Sequence, residues 1–430
     1  LQAETLQATF LREAASYARQ FAFDSWICGQ LNKNGGKGFS SPGKGGPMRT
    51  DAAMLAAIFL SSALMCGCGG AGITIAGSGG TGTAPTTATP AIATTSAQNG
   101  AVIVNLTSAT AGATIYYTLD GSEPTTSSQP YLAPFLVASN LTVKAIAVAA
   151  GSSSSIASIP FTPNIRSGTL VWSDEFTSSS STPAQPNPAV WTYDKGTDCC
   201  GNNELEDYCA WGSTDPNCSS ASPSAYVAQY SGTDGVLYIV AQQPSTGVYT
   251  SARLKTQGLF SFQYGRLEFR AMVPEAQGFW PANWLLGNNI ATINWPACGE
   301  MDVLERVNVA LTPDWNEGSV HGTGFTGGAG LGTQYDFPTG QTAGGEFHTY
   351  GMIWSPGSVS YYVDDPTQPY VTYTPSSLSG LTGAAWPFDA GQSSFILLNL
   401  AIGGDYPGSP DNTTPFPSEM LVDYVRIYTN

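Results

Sequence analysis

From about Thr87 onward the chain alternates apolar and polar residues in short runs. "AVIVNL", "ATIYYTL", "LTVKAIAVAA" and "IASIPF" follow one another, and Asp120 to Thr125, "DGSEPT", reads as a turn between two of them. Successive side chains of a strand point to opposite faces, so such alternation predicts half-buried strands. Residues 87–163 are therefore expected to form a small β-sandwich. Tyr116, Tyr117 and Tyr131 fall within it and read first as packing residues. A second, longer set of runs starts near Gly168. It includes "TLVWSDEF", "GVLYIVAQ", "YGRLEFRAMV", "HTYGMIWSPGSVSYYVDD", "FILLNLAIGG" and "MLVDYVRIY", broken by Gly, Pro and Asn. Many strands with no helical period between them predict an all-β sandwich or jelly roll over 168–430, not a parallel sheet.

The N-terminal part has another pattern. From Met48 a short basic start leads into an apolar stretch, Ala52 to Met65, and then to Cys66-Gly67-Cys68. That stretch is too short to span a bilayer and fits the core of a secretory signal. Residues 48–68 are read as a signal peptide, either cleaved in the ordinary way or, since its end resembles a bacterial lipoprotein cleavage site, leaving a lipid on Cys66 or Cys68. Residues 1–47 have no pattern that folds and are left unassigned, outside the mature protein. Residues 69–86, rich in Gly, Thr, Ala and Pro, read as a flexible linker.

Composition narrows the partners. Of 430 residues only 11% are charged, with 15 Lys+Arg against 31 Asp+Glu and a formal charge of −16. No basic patch is available for nucleic acid, and sulfated polymers would be repelled. A neutral polymer is the expected partner. The protein is expected to be a monomer, secreted or held at a bacterial cell surface, touching the membrane only through the lipid anchor.

Against that background, "ACGEMDVLERVN" (297–308) places Glu300, Asp302 and Glu305 within six residues of an otherwise apolar strand. Burying unpaired carboxylates is costly. Glu300 and Asp302 share a face, but Glu305, three residues on, would point the other way. One β-bulge at Val303-Leu304 restores Glu305 to the first face and leaves Met301, with Val303 or Leu304, for the core. Three acids in a row suit glycoside hydrolysis, which needs one carboxyl to protonate the leaving oxygen and another to attack or to activate water. A solvated acidic strand face is the plainer reading of the acids taken alone.

Their flanks change that balance. "YGRLEFRAMVPEAQGFWPANWLLG", "NWPACGEMDVLERVN", "GSVHGTGF" and "LLNLAIGGDYPG", in that order, resemble glycoside hydrolase family 16 from about Leu170 to Tyr428. The bulged E-x-D-x-x-E spacing is most similar to that of the bacterial laminarinases, endo-β-1,3-glucanases. The resemblance implies a concanavalin A-like jelly roll acting with retention, Glu300 as nucleophile, Glu305 as general acid/base and Asp302 assisting. It also implies sugar contacts from Trp280, Trp284, Trp295, Asn203, Glu204, Arg253 and His321. No catalytic cofactor is implied, but a structural calcium ion is, held by Glu175, the Gly235 carbonyl and Asp423. The small sandwich resembles the C-terminal domain of chitobiases, a spacer or weak carbohydrate contact expected to be dispensable for cutting soluble glucan. Agarose or another neutral galactan is the alternative substrate, and a non-catalytic β-glucan-binding protein the lesser alternative. Cys199, Cys200, Cys209 and Cys218 are expected to include disulfides of unassigned pairing. Cys298 reads as a buried thiol, and His348 as a core histidine.

Overall fold

A computed structural model describes residues 87–430 except 198–200, 232–233, 309–312 and 390. The expected leader, linker and N-terminal extension, and Cys199 with Cys200, lie outside the described residues.

The runs after Thr87 become two small sheets. One is ordered β1 (Ala91–Ser96), β2 (Val102–Thr107), β5 (Phe135–Val137). The other is β4 (Gln129–Pro130), β3 (Thr114–Thr118), β6 (Leu141–Ala149), β7 (Ser152–Ser153), with β8 (Ala157–Phe161) also on β6. Alternate residues Val104, Leu106, Tyr117, Phe135, Val143 and Ala145 close the core between them. Tyr117 is a packing residue there, its ring stacked on Phe135 at 4.9 Å. The sandwich is also bonded directly to the rest of the fold. The Gln98 N–H donates to the Val171 carbonyl at 3.1 Å, and Ala101 is buried in the larger unit's core.

The larger unit is a jelly roll of two facing sheets. The sheet carrying the acids runs β10 (Thr192–Tyr193), β15 (Arg253–Lys255), β24 (Ser394–Ile402), β17 (Phe279–Gly287). It continues through β18 (Glu300–Glu305), β19 (Trp315–His321) and β20 (Leu331–Asp336). The opposite sheet runs β11 (Glu206–Tyr208), β14 (Val248–Ser251), β13 (Val236–Ser245), β25 (Ser418–Tyr428). It continues with β16 (Gly265–Met272), β21 (His348–Ser355), β22 (Ser358–Val363) and β23 (Val371–Tyr373). β12 (Ala225–Ala228) adds to β13, and β9 (Leu170–Asp174) to β25. Among the described residues the only α-helix is α1, the single turn Ile290–Ile293.

Leu285, Met301, Leu304, Ile396 and Leu398 join Leu237, Leu267, Phe269, Met352 and Val425 in one core. β24 is buried throughout because its other face is covered too: Phe395 and Leu397 pack with Leu286, Cys298, Trp284 and Trp295. That second cluster supports the segment from Asn288 to Gly299, next to the acids.

Candidate active site

β18 pairs with β17 in two registers. Glu300 opposes Leu286 and Asp302 opposes Trp284, but the next pairs are Leu304 with Asn283 and Glu305 with Ala282. The slip leaves Val303 as the extra residue, the bulge expected from the spacing of the acids. Met301, Val303 and Leu304 all enter the core. Asp302 is 5% exposed, while Glu300 and Glu305 at the two ends of the strand are only partly covered.

A bulge breaks the ladder on the strand's other side, where β18 pairs with β19 only through Glu300, Met301 and Asp302. Backbone groups freed inside a protein need partners. Asn316, fully buried on β19, supplies them: its amide donates to the Val303 carbonyl at 3.1 Å and accepts from the Glu305 N–H at 3.2 Å. Arg306 anchors the strand's end, its guanidinium buried between Glu275 (2.9 Å) and Asp314 (2.8 Å).

Each outer acid receives an indole N–H. Trp295 donates to Glu300 at 2.8 Å, and Trp280 to Glu305 at 3.0 Å. Asp302 takes the Ser319 hydroxyl at 2.7 Å and lies 3.2 Å from His321 Nε2, which is 3.9 Å from Glu300. The His321 ring lies against Gly330, where a Cβ would collide with it.

The electrostatics separate the two outer acids. Burial pushes the Glu300 carboxyl up to about 8, the Asp302 charge adds to this, and His321, the Trp295 N–H and Arg253 oppose it. Glu305 is held well above the usual carboxylate range by burial, then by the charges of Asp302 and Glu317, with His321 opposing. Burial works against a charge on His321, but the Asp302 hydrogen bond and the surrounding carboxylates win and raise it to about 9. The Cys298 thiol is buried and pushed up to about 12, by burial and then by the Glu300 charge, so it stays protonated and unreactive.

The other expected sugar contacts form a second group on the same sheet. Trp284 donates to Asn399 at 2.8 Å, and the Arg253 guanidinium lies 4.7 Å from the Trp284 ring centre while pairing with Asp194 at 3.1 Å. Glu204 accepts from the Tyr208 hydroxyl at 2.8 Å. Asn203 sits beyond them, its amide on the Asp405 carboxylate at 2.9 Å. Four residues of this site, Asn316, Glu317, Ser319 and Asn399, went unremarked in the sequence. Glu317, Ser319 and His321 fall two apart in "NEGSVH", so strand alternation alone could have put the first two beside the histidine.

The expected calcium ligands are arranged differently. Glu175 forms a two-pronged pair with Arg426 (3.0 and 2.8 Å), and Asp423 binds Arg270 at 2.6 Å. A guanidinium against each carboxylate repels a second cation, so this donor set does not fit calcium as arranged. Gly235 has φ 120 and no room for a Cβ beside Phe176 and Ser178, which accounts for a glycine there without a metal. Among the described residues, the group with ligand-like spacing is Glu300, Asp302 and His321, with donor atoms within 4.8 Å of one another. Cys209 and Cys218 form a disulfide, and His348 is buried with Nδ1 2.8 Å from Asp364.

Comparison with known proteins agrees with this geometry. Residues 220–397 match the glycosyl hydrolases family 16, and residues 93–158 match the chitobiase/beta-hexosaminidase C-terminal domain. The chain is 35% identical over 268 residues to a beta-glucanase of Rhodothermus marinus, an alignment spanning 60% of this chain and 84% of that one. It is 31% identical over 294 residues to the glucan endo-1,3-beta-glucosidase A1 of Niallia circulans, spanning 63% of this chain and 39% of the relative. The laminarinase catalytic domain of Thermotoga maritima superposes with a TM-score of 0.51 at 36% identity, over 62% of this chain and 99% of that one. The endo-beta-1,3-glucanase of Pyrococcus furiosus gives 0.51 at 37% identity, over 61% and 94%. With the bulged acid strand, the jelly roll and these alignments in agreement, the chain belongs to glycoside hydrolase family 16.

Proposed function

We propose that this glycoside hydrolase cuts β-1,3-glucan internally, by double displacement with retention. The observation that carries the reading is the register slip at Val303, which brings Glu300, Asp302 and Glu305 to one face, with an indole N–H on each outer acid. Glu300, whose charge Trp295 and His321 favour, attacks the anomeric carbon as Glu305 gives its proton to the departing oxygen. Water then releases the sugar from Glu300, passing a proton back to Glu305. Asp302 orients Ser319 and His321, and its charge keeps Glu305 protonated until the departing oxygen takes the proton. Trp280, Trp284 and Trp295 offer ring faces to the apolar faces of successive glucoses, while Arg253, Glu204 and Asn203 reach hydroxyls further along the sheet. The chemistry asks for no cofactor. Export through the 48–68 signal, with or without a lipid at Cys66 or Cys68, would bring the enzyme to an extracellular polymer.

One substrate panel tests this. Incubation with laminarin should release short oligosaccharides from internal cuts, mixed-linkage glucan should be cut more slowly, and agarose should stay intact. Oligosaccharides from agarose with none from laminarin would overturn the reading in favour of a galactan.

A further inference from the structure

Glu206 is a fully buried acid that the mechanism does not use, and it stands at a corner of the fold. The chain changes sheets at Ala252, between β14 in one sheet and β15 in the other. β15 runs beside β24 only over Leu397, Leu398 and Asn399, so residues 400–402 lose their neighbour on that side. Ile402 faces the gap with both backbone groups. Phe279, opposite it on β17, bonds elsewhere. Its N–H donates to the Ala276 carbonyl at 3.3 Å, and its carbonyl accepts from the Asn308 N–H at 3.1 Å. Buried backbone groups need partners, and the sheet has none left to offer Ile402.

Residues 202–206 supply them. The Ile402 carbonyl accepts from the Leu205 N–H at 2.8 Å, and the Ile402 N–H donates to the Glu206 carboxyl at 2.7 Å. A side-chain oxygen thus stands where a neighbouring strand would offer a carbonyl. Glu206 lies on β11, the edge strand of the opposite sheet, and its side chain crosses the end of the sandwich to β24. Tyr208 shares its face. The Tyr208 hydroxyl donates to Glu204 at 2.8 Å and accepts from the Asn399 amide at 3.4 Å. Glu204 then pairs with Gly403, and the Asn202 carbonyl accepts from the Asp405 N–H at 2.8 Å, where Gly404 leaves no room for a Cβ. Burial, and then the Glu204 charge, hold the Glu206 carboxyl well above the usual range. No donor meets its other oxygen among the described residues, so it sits there as the neutral acid.

We propose that Glu206 is a positioning residue for the substrate, pinning residues 202–205 to the end of β24 so that Asn203 and Glu204 meet the glucan. This rests on the reading of those two residues as sugar contacts. The acids themselves are held independently. The Gly403 N–H donates to the Gly278 carbonyl at 2.7 Å, and the Gln277 amide to the Pro407 carbonyl at 2.8 Å. Tyr406 between them lies edge-on to Trp280 at 5.4 Å, the indole that serves Glu305. Freeing residues 202–205 therefore withdraws contacts made equally to bound substrate and transition state. KM rises and kcat holds.

The test uses full-length protein and laminarin. Glu206→Leu leaves the Ile402 N–H buried and unpaired, and should raise KM about tenfold with kcat within about twofold. Glu206→Gln, uncharged like the buried acid and still offering an oxygen to Ile402, should keep KM within about twofold of wild type. Glu204→Ala should raise KM as well, and adding Glu206→Leu to it should raise KM no further, since both act along one path. An unchanged KM in Glu206→Leu, a kcat loss as large as the KM rise, a Gln variant as poor as the Leu one, or additive losses in the double variant would each overturn the proposal. If Glu206→Leu does not fold, Glu206→Asp replaces it, because its shorter side chain withdraws the oxygen from Ile402. KM should then rise about threefold, and an unchanged KM overturns the proposal. Wild type inert on laminarin would instead sink the functional reading. The pinning is then read without substrate, from backbone hydrogen exchange over residues 202–206. Exchange should quicken in the Leu or Asp variant but not in the Gln one, and equal exchange in all of them overturns it.

Discussion

Glu300 and Glu305 share a strand and a burial cost, and differ in which charges surround them. Asp302 and His321 act on both, but Trp295 and Arg253 favour a charge on Glu300 alone, whereas Glu317 disfavours one on Glu305. Replacing either by Gln should lower turnover by orders of magnitude with the fold intact. Azide should rescue Glu300→Ala with inverted product and Glu305→Ala with retained product, and the opposite pairing would exchange their roles. Asp302 is predicted to act on the pH profile as well. Its charge raises both neighbours, so Asp302→Asn should let Glu305 lose its proton at lower pH. The alkaline limb of kcat/KM then moves down. An unmoved alkaline limb would show that Asp302 does not set the acid's proton affinity. Away from the site, Asn283 is fully buried between Leu304 and Leu398, and its amide finds no partner among the described residues. Asn283→Leu should stabilise the fold by roughly 1–3 kcal/mol, measured by denaturant unfolding, because an unsatisfied buried amide costs about that much.

At the scale of the element, β18 combines two requirements that conflict in a regular strand: three acids on one face and a continuous core on the other. The bulge resolves them, and Asn316 satisfies the backbone groups the bulge strands. Asn316→Ala should leave the fold recognisable by circular dichroism yet cost about 1–3 kcal/mol of stability. Its kcat should fall about tenfold or more, because the Glu305 backbone is no longer held. Unchanged kcat would mean that the core alone fixes the bulge.

For the molecule as a whole, burial raises the proton affinity of Glu206, Glu300, Glu305, Asp174 and Glu419, while Asp120, Glu175 and Asp364 are lowered. A raised carboxyl lends stability below its unfolded value, and that stability is lost as pH rises through the folded one. For Glu300 the window is 4.5 to about 8. The raised His321 acts in the same direction, its contribution complete below 6.5 and lost by about 9. The lowered acids lose their contribution only as pH falls below their usual range. Tm should therefore peak at roughly pH 4–5 and decline toward pH 9. Glu300→Gln should flatten that decline, and a Tm that rises from pH 5 to 8 would contradict the assignment.

The all-β class, the two sandwich units and the acid row follow from the sequence, because period-two alternation and the 300/302/305 spacing are local. Even the bulge is legible to within Val303-Leu304, since Glu305 can reach the acid face in no simpler way, and the register of β17 then singles out Val303. Local spacing cannot say what lies across the fold. Asn316 on the bulge, Asn399 under Trp284, and the arginines on Glu175 and Asp423 come from strands far apart in sequence. The Cys209–Cys218 pairing was likewise one of several the sequence allowed. The contacts of Pro134 and Leu136 with Ser261 join residues more than a hundred positions apart. Only packing of the two sandwiches brings them together, so tertiary structure alone decided that the small unit bonds to Ser261, next to the residue that pairs with the start of β24.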